Sequence, residues 1–452
     1  MGAKDSHAHL EGSIIGSILK MGVPSMIGFA FGNLYDLADA YWLSRLGSTP
    51  VAAVTILGPF LWVVHSANMI VGAGSVAVIS RRWGERDRLR TELAIRETLL
   101  LKWIVALGVG LAGYLFVPWI IRVLGAEGEA IDLGVTYGRI IFLGIGFNFA
   151  TYSIFTALRG VANPKMAMVI MLGFTVLNIV LDPFLIFGWW VFPPMGVAGA
   201  AWASVISYAT AFAVGLLVLT SGVANIRLHL RSAHPVQWRI MGQILRIGAP
   251  TAIGEISFSS ARTVIMPMIS MFGMGVVAAY GVSTRISSFG IMLLVGIGLG
   301  LSALIGHNVG AGKLERARRT AHQAVLLATG IMTAIGVLTF VGAGFIMRRF
   351  FADPQIVAHG IEMMRIFSLG FPFIGLYITL ENVFGGVGEN RPAMIANIIH
   401  SWVLEVPAVY ACTKLLGWSQ TAVWWSIVAA GTIIATIFYS YYRRGSWLHV
   451  KV

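Results

Sequence analysis

The sequence predicts an all-α membrane protein with twelve transmembrane helices arranged as two six-helix lobes. Its composition, its twelve long apolar stretches and an internal repeat support this prediction. Of the 452 residues, 57% are hydrophobic and 11% are charged, whereas a soluble domain carries about 25% charged residues. Because so few charges cannot cover a water-facing surface, we expect the chain to lie in a membrane.

A transmembrane helix needs about 20 mostly apolar residues, and the first half of the chain contains six such stretches. They lie at 14–42, 51–79, 93–118, 131–158, 164–188 and 195–221. A polar segment follows, and six more stretches lie at 242–271, 276–306, 321–346, 358–384, 392–414 and 419–441. We therefore predict an N-terminal lobe at 1–225, a cytoplasmic loop at 226–241 and a C-terminal lobe at 242–452.

The net charge of +13 is placed unevenly among the predicted loops. Loops after the even-numbered stretches carry most of the basic residues, among them Arg81, Arg159 and Lys313. Cytoplasmic loops of membrane proteins are enriched in Lys and Arg, so both termini are predicted to be cytoplasmic in the cell inner (plasma) membrane. The basic residues thus orient the chain, and no nucleic-acid partner is expected. MGAKDSHAHLEG at the start lacks a signal-peptide cleavage site, so no removable leader is expected.

The two halves repeat at a fixed offset. MGVPSMIG (21–28) matches IGAPTAIG (247–254), and GVANPKMAM (160–168) matches GVGENRPAM (386–394), each 226 residues later. Six spans per half give both halves the same orientation in the membrane. We therefore predict a pseudo-two-fold axis along the membrane normal, with a site near the midplane.

Polar residues inside the first lobe form a candidate cation site. Tyr35 and Asp39 lie four residues apart on the first stretch, and Asn178 and Asp182 lie four apart on the fifth, so each pair shares a helix face. An acid within a span costs roughly 2.5–3.5 kcal/mol on insertion scales, which favours a functional role. Asp39, Asn178 and Asp182 either bind Na⁺ through their oxygens, or the two carboxylates share a proton.

Structural explanations remain open for each acid. Asp39 could end the first helix near the interface and pair with Arg45, although Arg45 lies off its face. Asp182 could cap the turn before Pro183. Asp36 is either a neighbour in the cluster or an acid that reaches toward the membrane surface.

Other polar residues are candidates for a substrate cavity, with hydrogen bonding between helices as the alternative. They are His65, Asn68, Asn148, Tyr152, Ser204, Glu255 and Arg262. In the second lobe the repeat places Ile265 at the position of Asp39 and Arg262 at that of Asp36, so we expect coupling mainly in the first lobe. Glu255 could pair with Arg262, or Arg262 could interact with the neighbourhood of Arg285 across spans seven and eight. Pro24 is expected to bend the first helix and is a candidate hinge.

Several blocks resemble the multidrug and toxic compound extrusion (MATE) transporters over about residues 14–440. The blocks are LSRLGSTPVAAV (43–54), SRRWGERDRL (80–89), ALRGVANPKMAM (157–168), NIVLDPFLIFG (178–188) and GHNVGAGKLERA (306–317). The resemblance implies a cation-coupled antiporter with a large central cavity. It also implies cation coupling at Asp39 and, in one branch, at the Asn-x-x-x-Asp of the fifth span.

That branch places a tyrosine of the cluster at the position of Tyr137. Where it offers a hydroxyl on the sixth span, this chain has Ala200, and Ser204 lies one turn further on. Another branch uses acids on spans seven and ten, but Glu255 and Glu381 do not register convincingly onto those positions.

The sequence therefore predicts a multidrug efflux antiporter that exports amphipathic, often cationic organic compounds by alternating access, driven by Na⁺ or H⁺. A flippase for a lipid-linked saccharide or related lipid precursor is the alternative. No H-E-x-x-H, G-x-S-x-G or phosphate-binding loop is present, so an enzyme is not expected. We expect no cofactor beyond the coupling ion, a monomer, and partners limited to small-molecule substrates, the coupling cation and membrane lipids.

Overall fold

The computed structural model describes residues 10–229 and 234–450, and it contains twelve long helices there. The first lobe comprises α1 Ile14–Ser44, α2 Ser48–Gly84, α3 Arg88–Val123, α4 Glu129–Gly160, α5 Pro164–Phe187 and α6 Val197–Ser221. The second lobe comprises α7 Trp238–Ser270, α8 Met274–Gly310, α9 Leu314–Phe350, α10 Pro354–Val387, α11 Arg391–Leu415 and α12 Gln420–Arg443. The predicted all-α fold with twelve spans is confirmed.

Most helices extend beyond the predicted apolar stretches because polar residues start them outside the hydrophobic part. Asp87 accepts a hydrogen bond from the backbone N–H of Arg90 (2.9 Å) and caps the start of α3. Asn163 caps α5 in the same way, immediately before Pro164. Side-chain oxygens at these positions satisfy backbone N–H groups that have no partner within the helix. Apolar content alone therefore predicts the middle of each helix better than its ends.

One helix differs from the others in polarity. Eleven helices in the described part of the chain are long and apolar enough to cross a membrane, and α7 is outside that set. The reason is its charged residues, which include Arg246, Glu255 and Arg262. Its place as the seventh span follows from the repeat and from its packing against α2.

The interface between the lobes is built from α1, α2, α7 and α8, and it repeats the pseudo-two-fold relation. Helix α1 packs on α8, and α2 packs on α7. A Cβ atom added at Gly300 would overlap the carbonyl oxygen of Met21, and one at Gly74 would overlap that of Ile244. Gly74 and Gly300 are 226 residues apart. These glycines allow the backbones of the two lobes to approach closely.

Hydrogen bonds between the lobes lie at the end of the molecule that carries the basic loops. The His307 imidazole Nε2, at the end of α8, is hydrogen-bonded to the Gly160 carbonyl at the end of α4 (2.6 Å). Arg81 at the end of α2 donates to the Val450 carbonyl (2.8 Å). Toward the opposite end, α1 becomes exposed at Asn33 and Asp36. These hydrogen bonds therefore join the lobes at the basic end.

The segment between the lobes runs from the end of α6 to the start of α7, and its residues 230–233 lie outside the described part. Arg96 of α3 donates to the carbonyls of His234 and Pro235 (2.9 Å each). Glu92 accepts a hydrogen bond from the backbone N–H of His229 (2.6 Å). The predicted boundaries of this loop, 226–241, stay a prediction. The cytoplasmic placement of the two termini also stays a prediction. Residues 1–9 and 451–452 lie outside the described part as well.

Candidate functional site

The structure brings the four polar residues of the first lobe together, and α4 adds Tyr137. Asn178 and Asp182 are fully buried, and Asp39 is 8% exposed. Asp39 and Asp182 are close enough for their charges to interact, and Tyr137 interacts with both. Each side chain reaches this point because residues four apart share a helix face on α1 and on α5. The site therefore lies inside the first lobe, where α1, α4 and α5 meet.

The hydrogen bonding within the cluster leaves several oxygens without a partner. The Asn178 amide donates to Asp182 Oδ1 (3.5 Å). Among the described residues, Asp39 Oδ1, Asn178 Oδ1 and Asp182 Oδ2 are buried and accept no hydrogen bond. A buried polar atom without a partner is rare and needs an explanation. Carboxylate and amide oxygens in this state fit a bound Na⁺, and the carboxylates fit a bound proton equally well.

The sixth span contributes the hydroxyl that the sequence left uncertain. Ser204 Oγ and Tyr35 OH share a hydrogen bond of 2.7 Å, whereas Ala200 is buried without a polar group to offer. Ser204 thus joins the cluster rather than a separate cavity. It holds the Tyr35 ring beside Asp39, with which Tyr35 also interacts electrostatically.

Sequence reasoning missed Tyr208, which lies next to the cluster. Its ring contacts Phe174 (4.5 Å between centroids) and Tyr35 (6.1 Å). Tyr152 of α4 is close enough to interact with Tyr208, and its ring lies 5.9 Å from the His65 ring. Ser204 and Tyr208 are four residues apart on α6, so the spacing rule that identified Tyr35 and Asp39 also points to Tyr208.

Asp36, Asn148 and Asn68 have different positions. Asp36 is exposed, although it is close enough to influence Asp39. Asn148 is half-buried on α4, four residues before Tyr152. Asn68 is buried and accepts two hydrogen bonds from the buried ammonium of Lys102, one at its backbone carbonyl (2.6 Å) and one at its side-chain oxygen. Asn68 therefore belongs to the interior of the lobe and does not line the space between the lobes.

The contact between Asn68 and Lys102 gives a prediction for stability. Replacing Asn68 by leucine removes one acceptor from a buried ammonium and should cost about 1–3 kcal/mol. The double variant Asn68→Leu/Lys102→Met should recover most of this loss because no buried charge remains. Thermal unfolding in detergent, followed by tryptophan fluorescence, measures both effects. Additive losses in the double variant would contradict the assigned contact.

The second lobe contains two further polar groups. Glu255 of α7 and Glu381 of α10 are close enough to interact, and the Asn397 amide donates to Glu381 Oε1 (3.3 Å). The structure thus brings together the acids of spans seven and ten. From the sequence alone, these two residues could not be aligned with the acid positions of the other MATE branch. The sequence had not linked Asn397 to them.

Arg262 has partners that differ from the expected Glu255. Its guanidinium donates to Tyr280 OH (2.9 Å) and lies 3.8 Å from the buried Glu405 Oε1. Glu255 and Arg262 are seven residues apart, which places them about 10 Å apart along the helix. Glu405 ends the π-helical segment Ile399–Glu405 of α11. The pairing of Glu255 with Arg262 is replaced by a cluster among α7, α8 and α11.

Comparisons with known proteins agree with this architecture. A model of the MatE family matches residues 24–184 and 250–411, and the two blocks begin 226 residues apart, one in each lobe. The chain is 25% identical over 443 residues to the probable multidrug resistance protein YpnP of Bacillus subtilis (strain 168), covering 98% of each protein.

Solved structures are also similar. A MATE protein in the bent conformation matches with a TM-score of 0.90 at 25% identity, covering 98% of both chains. An outward-facing multidrug resistance MATE family transporter of the MOP superfamily matches with a TM-score of 0.88 at 25% identity, covering 99% of both. The family model covers well over half of this chain, in both lobes. The chain therefore belongs to the MatE family and is a multi-pass membrane transporter rather than an enzyme.

Proposed function

We propose that this protein is a cation-coupled multidrug efflux antiporter, which exports amphipathic, often cationic organic compounds by alternating access. The observation that carries the proposal is the buried cluster of Asp39, Asn178 and Asp182, with three oxygens that accept no hydrogen bond in the described structure. Relatives named as multidrug resistance proteins support the efflux of organic compounds. The coupling cation is H⁺ or Na⁺.

The cluster gives the cation a way to change the conformation. Two carboxylates within a membrane protein repel one another and are poorly solvated. A bound H⁺ or Na⁺ relieves both costs, so the cation favours the arrangement of helices in which these acids lie together. A ligand shifts a conformational equilibrium only through such differences in affinity. Cation binding and substrate binding are then coupled through the position of α1.

Helix α1 connects the cluster to the interface between the lobes. Asp39 lies in its second half, whereas Pro24 lies buried in its first half, beside Gly22 at the contact with α8. Proline removes a helix hydrogen bond and favours a bend. We assign Pro24 as the hinge at which α1 bends when the cation binds. The similar MATE protein solved in the bent conformation is consistent with such a hinge.

Loop charges support a plasma-membrane protein with both termini in the cytoplasm. Because hydrogen bonds join the lobes at the basic end, we propose that this arrangement faces the outside. We also propose that the protein acts as a monomer.

The efflux function has more support than the flippase. A site for a lipid pyrophosphate would need uncompensated basic residues, yet the charge of Arg262 is offset by Glu405. In the first lobe, the position equivalent to Arg262 is occupied by the exposed acid Asp36, which would repel a pyrophosphate.

The proposed function is tested with the purified chain in proteoliposomes. Ethidium should move against its gradient when a Na⁺ or a pH gradient is imposed, and a fluorescent phospholipid should stay in its leaflet. Lipid movement without ethidium transport would contradict efflux and favour the flippase.

A further inference from the structure

The repeat places an arginine beside an aromatic ring in each lobe. Arg139 on α4 and Arg365 on α10 are 226 residues apart. The Arg139 guanidinium lies 5.2 Å from the centre of the Tyr114 ring on α3. The Arg365 guanidinium lies 5.3 Å from the centre of the Phe340 ring on α9. Neither guanidinium forms a hydrogen bond or an ion pair within the described residues, so both keep their N–H donors for another partner.

Both arginines point away from the interior of their lobe. Tyr137, two residues before Arg139, is buried in the cluster of the first lobe, and two residues turn about 200° around a helix. Arg365 lies about 160° around α10 from Glu381, which interacts with Glu255 of α7. Both arginines are exposed, and the interface between the lobes is built from other helices. They therefore face the surroundings of the protein.

The surroundings at these two places are lipid. Leu143 and Leu369, one turn after each arginine, are 65% and 49% exposed. The arginines lie about 10–12 Å inside the apolar stretches predicted at 131–158 and 358–384, measured from the end opposite the basic loops. An unpaired charge in contact with hydrocarbon is costly. Long basic side chains avoid this cost by reaching the membrane surface, where lipid phosphates are available as partners.

The arginine of the second lobe borders a cleft that also contains an acid. The cleft lies between α9, α10 and α12 and has a volume of about 610 Å³. Its lining includes Phe340, Glu362, Arg365, Leu369, Thr421 and Trp425. The Thr421 hydroxyl donates to Glu362 Oε1 (2.9 Å), which orients the carboxylate. Glu362 lies three residues before Arg365 and shares its helix face, yet the two form no ion pair within the described part of the chain.

We propose that this cleft binds the head group of phosphatidylethanolamine from the leaflet opposite the basic loops. This head group carries a phosphate and a primary ammonium, joined by an ethyl chain. Arg365 binds the phosphate, and Glu362 accepts a hydrogen bond from the ammonium, which has three N–H donors. The quaternary ammonium of phosphatidylcholine has no N–H to donate, and phosphatidylglycerol has no cation to pair with Glu362.

The first lobe provides a comparison within the same chain. Thr136 occupies the position equivalent to Glu362, so Arg139 can bind a lipid phosphate but has no carboxylate beside it to select an ammonium. The selective site therefore belongs to the second lobe. It lies outside the cluster of Asp39 and Asp182, and it does not depend on which cation or which compound is transported.

Native mass spectrometry of the purified full chain tests the site. The protein is titrated with phosphatidylethanolamine, phosphatidylglycerol or phosphatidylcholine of the same acyl chains, and the affinity of the first binding step is measured. Wild-type protein should bind phosphatidylethanolamine severalfold more tightly than the other two lipids. Arg365→Gln should lower the affinity for phosphatidylethanolamine about tenfold, the loss expected for one charged hydrogen-bonded contact.

A second variant separates selectivity from phosphate binding. Glu362→Gln keeps the size of the side chain and an oxygen for Thr421 but removes the charge. The preference for phosphatidylethanolamine over phosphatidylcholine should fall severalfold, while the affinity for phosphatidylcholine stays at the wild-type value. This variant keeps the test valid if Arg365→Gln does not fold. Arg348→Gln is the matched control because Arg348 is an exposed arginine in the last turn of α9 and does not line the cleft, so it should leave the preference unchanged.

The result can overturn this site without affecting the efflux function, which is tested by ethidium transport. Equal affinities of the wild type for the three lipids, or a preference for phosphatidylglycerol, would overturn the site. An unchanged preference in Glu362→Gln, or an unchanged affinity for phosphatidylethanolamine in Arg365→Gln, would also overturn it. Loss of the preference in Glu362→Gln together with its retention in Arg348→Gln would establish the site.

Discussion

Asp39→Asn should reduce cation-driven ethidium transport at least about tenfold, which corresponds to losing a coupling energy of 1–3 kcal/mol. Asparagine keeps the size of the side chain but removes the negative charge, so it neither holds a proton nor balances Na⁺. Asp39 is close enough to Asp182 and Tyr137 for their charges to interact, and Asp182 alone cannot replace the pair of carboxylates. Ethidium uptake into proteoliposomes under an imposed Na⁺ or pH gradient measures the loss.

Asp132→Asn is the matched control for this prediction. Asp132 is an exposed acid in the first turn of α4 and lies outside the cluster, so transport should stay at the wild-type rate. Both variants should elute from size exclusion as the wild type does. Full transport by Asp39→Asn under both gradients would remove the cluster from the coupling mechanism.

Gly300→Leu should disfavour the close packing of the two lobes at α1 and α8 and should strongly reduce transport. A Cβ atom there would overlap the Met21 carbonyl and lie 2.7 Å from the Gly22 backbone nitrogen, and backbone atoms cannot move aside. Overpacking costs about 1–3 kcal/mol and sometimes more, which shifts a two-state equilibrium about 5–150-fold. Ethidium transport and the accessibility of a cysteine at the closed end report the change.

For the accessibility measurement, Ser80→Cys is introduced together with Cys412→Ala. Ser80 is buried at the contact with Gly306, so a water-soluble thiol reagent should label it slowly in the parent and faster after Gly300→Leu. Gly330→Leu is the control because no other atom lies within 4 Å of a Cβ at Gly330. Slow labelling and normal transport in Gly300→Leu would show that close packing at this point is dispensable.

The sequence predicts the fold well because membrane helices obey strong local rules. A span needs a long apolar stretch, and the repeat places each helix of the second lobe by its partner in the first. Helix α7 was predicted as the stretch 242–271, and the match of 247–254 to 21–28 supports that prediction, although α7 is more polar than the eleven helices apolar enough to cross a membrane. Helix ends are less predictable because caps such as Asp87 and Asn163 lie outside the apolar stretches.

The candidate site is only partly predictable. Pairs within one helix, such as Tyr35 with Asp39 and Asn178 with Asp182, follow from a spacing of four residues. Contacts between helices depend on how each helix is rotated, which the sequence does not specify. For that reason the bond from Lys102 to Asn68 was missed.

The partner of Arg262 was missed for a similar reason. Glu255 is nearer in sequence, but the guanidinium turns toward Glu405 on α11. The π-helical segment Ile399–Glu405 changes the rotation of α11 there, and a regular helical spacing does not anticipate it.

The most direct test of cation coupling at Asp39 is the movement of cations driven by substrate. Ethidium is applied to one side of proteoliposomes without any ion gradient, and the opposite movement of H⁺ or ²²Na⁺ is recorded. Wild-type protein should move one of these cations in proportion to ethidium, and Asp39→Asn should move neither. Ethidium transport by the wild type without cation movement, or coupled cation movement by Asp39→Asn, would contradict the account.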